Sequence, residues 1–179
     1  MSSRMINYTV VILLVTSISF NYYLYKEKEG YLMQLGADNQ RTVRGILNEL
    51  SEGNTDHMIK TLKEANGDVL LERHIGELRQ LSREFHRMSS EMSTIGLLID
   101  DIIKQYYKLK VGVKDGENIE GYKREIEENI QFLESVLSQI DSEFGDNSKV
   151  WYQELSGYQT ETQKDVWEKF NAFNTQKQH

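Results

Sequence analysis

The sequence predicts an all-α fold: a single N-terminal helix of membrane-spanning length, followed by an antiparallel bundle of about four helices. Three observations lead to this reading. The chain has 179 residues and no proline, the residue that breaks helix interiors. Beyond Lys26 its apolar residues recur at steps of three and four, the period of one helix face, rather than in alternation. Between Met5 and Tyr25 there is no Asp, Glu, Lys, Arg or Pro.

The apolar stretch comes first. A helix rises about 1.5 Å per residue, so about 20 residues cross a hydrocarbon core of roughly 30 Å. Arg4 stands at one border of residues 5–25, and Lys26, Glu27, Lys28 and Glu29 stand at the other. Tyr22, Tyr23 and Tyr25 lie just inside the second border, where amphipathic rings suit a headgroup layer. The expectation is an uncleaved signal anchor over residues 1–25 and one helical bundle domain over residues 26–179. The alternative is a secretory signal peptide, with Arg4 as its basic region, Ile6 to Val15 as its apolar region, and cleavage near Ser17 or Ser19. Continuation of the run through Phe20 into the tyrosines favours the anchor. The Lys and Arg count near the span favours a cytoplasmic domain, but long domains translocate largely regardless of charge. A short basic tail before a first apolar segment commonly stays inside. The chain is therefore expected to be single-pass, with its bulk extracytoplasmic.

Composition narrows the function classes. Formal net charge is −7, and Arg4 is the one charge before Lys26, so the acidic excess belongs to the bundle. That balance argues against nucleic acid as a partner, because phosphate binding needs a basic face. Without cysteine there are no disulfides, thiolate nucleophiles, thiolate metal ligands or lipoprotein acylation site.

The bundle elements follow in order. Tyr31, Leu32, Leu35, Val43, Ile46, Leu47 and Leu50 form one face of a first helix, with Gly36 weakening the run without ending it. Residues 51–55, Ser-Glu-Gly-Asn-Thr, read as a stop and a restart, with Asn54 or Thr55 as the new N-cap. Met58, Leu62, Ala65 and Val69 form a shorter set, interrupted at residues 66–68, where Asp68 can cap the next helix. Leu78, Leu81, Phe85, Met88, Met92, Ile95, Ile99, Ile102, Tyr106, Leu109 and Val113 then keep three-four spacing in an unbroken, coiled-coil-like seam. Leu98 and Ile103 widen its second half, and the mixed side-chain sizes favour a bundle interior over a two-stranded zipper. Residues 112–118 make the clearest turn. Ile119, Tyr122, Ile126, Ile130, Leu133, Val136, Leu137, Ile140 and Phe144 mark another helix, and residues 145–148 a second turn, with Ser148 as a cap. A last helix spans Trp151 to Phe173 before a polar tail ending in His179.

Candidate sites are few. Arg79, Arg83 and Arg87, at i, i+4 and i+8, could clamp a carboxylate or phosphate, although Glu77 and Glu84 make a solvated face the simpler reading. His74 and Glu77 reverse the Glu-x-x-His order of carboxylate metal sites in bundles, while His57 sits at a helix start and His86 at an outward position. Asp100 and Asp101 are adjacent carboxylates facing away from the seam, with no supporting motif. No Gly-x-Ser-x-Gly elbow, phosphate loop or dinucleotide fingerprint occurs. No catalytic, cofactor or metal residue is therefore expected. The last helix carries more aromatics than one helix of a small bundle needs; core packing is the simpler role for them, and Trp151, Tyr158, Trp167 and Phe170 are the candidate partner surface as the sharper alternative.

These features describe a membrane-anchored, non-enzymatic interaction or scaffold protein of an envelope assembly. It would be held to the membrane by its N-terminal helix, would bind a protein partner, and could also self-associate. In outline the arrangement resembles the anchored four-helix sensor domains of bacterial chemoreceptors, which implies a ligand-sensing module as the alternative. Those receptors continue into a second span and a signalling region, so a signal from this chain would pass to a separate partner. Size and the single N-terminal span also allow a phage-type envelope or lysis accessory.

Overall fold

The computed structural model describes residues 3–52, 54–64 and 66–177, without the side chains of residues 3–7 and 9. Readings that fall on Arg4, Met5, Ile6, Gly53, Ala65 and His179 thus lie, wholly or in their side chains, outside the described residues. Seven helices and no strand occur among the described residues: α1 Ser3–Glu52, α2 Thr55–Leu62, α3 Gly67–Met88, α4 Ser93–Asp115, α5 Glu120–Phe144, α6 Ser148–Ser156 and α7 Glu161–Lys177.

Four of them close a ring. The second half of α1 packs on α3, α3 on α4, α4 on α5, and α5 back on α1. Side-chain pairs give the directions. Lys114 meets Asp68 and Lys110 meets Glu72, so α3 and α4 are antiparallel. Asn129 bonds Asp101 across α4 and α5, and Lys108 lies over the Tyr122 ring, so that pair is antiparallel too. The interior holds Val43 and Ile46 from α1, Ile75, Leu78 and Phe85 from α3, Ile95, Ile99, Ile102 and Leu109 from α4, and Ile126, Leu133 and Leu137 from α5, all fully buried. An up-down bundle with three-four packing follows from those stripes. α2 bridges the α1–α3 joint, α6 lies along α1, and α7 returns to α5.

Turn chemistry decides where the helices stop. Asn54 caps α2, its side chain accepting from the N–H groups of Asp56 (2.9 Å) and His57 (3.2 Å). Gly116 ends α4 in the left-handed region, at φ +71°. Asn147, rather than Ser148, caps α6, accepting from Val150 N–H at 3.4 Å. Asp68 is not a cap; it pairs with Lys114.

Two continuous helices expected from periodicity are each broken. The seam folds back at Ser89, which is extended (φ −158°, ψ 171°) and whose Oγ accepts from Met92 N–H at 3.2 Å. Ser93 Oγ donates to Ser90 O and Thr94 Oγ1 to Glu91 O, both at 2.6 Å. Hydroxyls that bond the local backbone offer it an alternative to helix, and three of them within six residues, on Ser89, Ser93 and Thr94, overcame the helical period here. The seam residues are core on both sides of the break, so their burial was read correctly and their continuity was not. The last helix likewise divides into α6 and α7. Thr160 Oγ1 donates to Glu154 O (2.6 Å) and accepts from Gln163 N–H (3.2 Å), which starts α7 afresh.

The spanning anchor is corrected. Among the described residues, no helix is long and apolar enough to cross a membrane. α1 is helical through the stretch, but its continuous apolar run is only Val10–Val15, after which Thr16, Ser17, Ser19 and Asn21 dilute it. A single-pass membrane protein is therefore unsupported. What stands instead is an exposed arm, with Ile12, Leu13, Ile18 and Phe20 each about 60% exposed.

Candidate functional site

The most unusual chemistry lies where α1 ends. Glu49 precedes buried Leu50, and the antiparallel register of α1 and α3 sets it opposite His74 and Glu77, one turn apart on α3. His74 Nδ1 is in direct contact with Glu49 Oε1, and Glu77 hydrogen-bonds the same carboxyl group. His74 is buried, with its ring edge-on to Tyr106 at 5.2 Å and 85°. From α2, His57, Met58 and Thr61 close the far wall of a cavity of about 220 Å³, which Glu52, Leu70 and Arg73 also line.

Burial raises the affinity of Glu49 for its proton. Together with the Glu77 hydrogen bond it pushes the pKa up to about 7. Burial also lowers that of His74, holding the imidazole neutral, and raises that of Tyr106, whose hydroxyl bonds Thr55. One proton satisfies the set. A neutral Glu49 donates its O–H to the Glu77 carboxylate and accepts from His74 Nδ1–H. This arrangement can store and release a proton near neutrality. Among the described residues no group of three or more His, Asp or Glu side chains is placed to hold a metal ion.

A serine, an aspartate and a histidine also meet, between α3 and α4. Ser82 Oγ donates to Asp100 Oδ1 (2.6 Å), and His86 Nε2 lies 3.1 Å from Asp100 Oδ2. The carboxylate sits between the other two, so the imidazole does not touch the hydroxyl, as activating a nucleophile would require. The neighbouring Asp101 instead accepts from buried Asn129 of α5 at 3.0 Å. The adjacent carboxylates thus serve opposite helices and form no pair. Asp100 is exposed and Asp101 half-buried, and each nonetheless bonds a side chain of a neighbouring helix. Asp100→Ala is expected to cost about 1 kcal/mol, above an idle surface change, because buried Ser82 keeps only the longer bond to Gly96 O; the urea midpoint reads this.

The arginine stripe is exposed along α3. Arg79 donates to Tyr107 Oη at 3.0 Å and Arg87 pairs with Glu84 at 3.1 Å, so two of its three members are engaged within the protein. The aromatic set divides. Trp151 is fully buried, donates from Nε1 to Gly145 O (2.8 Å) and stands edge-on to Phe144 at 5.1 Å. It is core and not surface, because α6 turns that face onto α1. Phe170 is half-buried against the core. Tyr158, at 89% exposure, and Trp167, at 52%, remain outward, one in the α6–α7 loop and one on α7. Tyr158 rims a cleft that Gln163 also lines; its Nε2 donates to Leu155 O and Gly157 O, both at 3.0 Å.

Glu49 escaped the sequence reading, although His57, His74 and Glu77 were in view. Only its place between inward Ile46 and Leu50 marked it. No family model, no curated protein and no solved structure matches the chain. The outline resemblance to chemoreceptor sensor domains thus has no measured similarity behind it.

Proposed function

We propose that this chain is a non-enzymatic helical interaction protein that assembles through the arm of α1. One observation carries the reading. α1 runs without a break from the exposed apolar residues Val10–Val15 to the buried core residues Val43, Ile46 and Leu50, so bundle and arm form one continuous helix. Apolar exposure on that scale marks a contact surface. Val10, Val11, Ile12, Leu13, Leu14 and Val15 are consecutive and therefore point all round the helix, as in a helix surrounded by others rather than paired along one seam. Copies of this chain, each with an identical arm, supply such neighbours most simply, and closed homo-oligomers are the common case.

Sedimentation velocity on the full chain is the test, with Val11→Glu, Leu14→Glu and Ile18→Glu combined as the comparison. The expected result is a discrete assembly for the parent and a monomer of equal helical content for the variant. A monomeric parent, or a variant that still assembles, would overturn the reading.

A further inference from the structure

We propose that Glu49, Glu77 and His74 form a proton-operated latch that holds α2 and the end of α1 against α3, closed when the two carboxyls share a proton and loosened when both are ionised. This inference does not depend on what covers the arm. Its basis is geometric: two hydrogen-bonded carboxyl groups and an imidazole meet at the wall of a cavity of about 220 Å³ where three helices converge.

The neighbours on every side set the response. On α1, Glu52 lies one turn from Glu49 and adds charge of the same sign. On α3, Arg73 is the cation in reach, and it favours ionised Glu49. On α2, His57 lines the opposite wall. From α4, the Tyr106 ring stands perpendicular to that of His74, and its hydroxyl stays neutral, since burial raises its pKa. From α5, Glu127 acts on Tyr106 rather than on the carboxyl pair. Loss of the shared proton therefore leaves Glu49, Glu77 and Glu52 against a single guanidinium, with His74 held neutral by burial. Like charges this close repel. The element that can yield is α2, eight residues long, which packs on α3 and contributes Thr55 to the Tyr106 hydroxyl.

The sign follows from linkage. Folding raises the Glu49 value from 4.5 to about 7, so between those limits the folded chain binds more protons than the unfolded one. The stabilisation is complete below pH 4.5 and is lost as pH rises through about 7.

Hydrogen exchange of the full chain at pH 5.5 and pH 8 tests the latch, with rates expressed as protection factors to remove intrinsic base catalysis. Protection of the α2 amides is expected to fall at least tenfold between the two pH values in the parent. It should stay level in Glu49→Gln, whose amide donates to Glu77 and accepts from His74 without titrating. Equal pH dependence in the two proteins would overturn the proposal. A carboxyl NMR titration of the parent gives a second reading that needs no variant. Glu49 titrating near 7 supports the latch, and titration near 4.5 overturns it.

Discussion

Gly36→Ala is expected to destabilise the bundle by about 3 kcal/mol, at the upper end for overpacking. A methyl group there would come within 1.8 Å of Ser148 O and 3.0 Å of Tyr152 N, both backbone atoms of α6. A flexible side chain could turn aside from such a contact, but a helix backbone must move bodily. α6 would have to lift from α1, withdrawing Trp151 from the core and loosening the bond from Asn39 Nδ2 to Ser156 Oγ (2.8 Å). Gly76→Ala is the control, because it lies within a helix and a Cβ there meets nothing within 4 Å. It should stabilise by roughly 0.5–1 kcal/mol, since glycine loses more freedom on folding than alanine does. Urea midpoints of the two variants should move in opposite directions. A Gly36→Ala midpoint equal to the parent's would show that α6 does not pack so closely.

Trp151→Ala should cost about 3–5 kcal/mol, the range for removing a large aromatic from a core. The loss combines the cavity left beside Phe144 with the removal of the indole N–H that serves Gly145 O. Trp167→Ala should stay within about 1 kcal/mol, because that ring is half exposed on α7. The chain has only these two tryptophans, so the pair makes a direct comparison. Thermal melts that rank them the other way would place Trp167, not Trp151, in the core. An unchanged Trp167→Ala melt together with altered assembly would add Trp167 to the contact surface.

These contrasts bear on what could be read from the residues alone. Three-four spacing identified nearly the whole core, from Val43 and Ile46 to Leu137 and Ile140, because burial on a helix follows from local geometry. Asn54 and Gly116 were legible as helix punctuation for the same reason, since a cap is satisfied within a few residues of itself. The break at Ser89 was not, because its hydroxyl bonds compete with a periodic pattern that runs through the turn in phase. At the N-terminus absence of charge was read as a span, whereas among the described residues no helix is long and apolar enough to cross a membrane.

The sequence by itself determined the all-α class, the buried stripes and the acidic surface, all of which depend on residues near one another along the chain. Only the tertiary structure decided that Trp151 is core, that Gly36 is a helix crossing, and that Asp100 and Asp101 serve different neighbours. It alone placed Glu49 against His74 and Glu77, 25 residues of separation for the histidine contact. Each of these depends on the register between packed helices. Register is set by how whole faces interlock, and no local spacing encodes it.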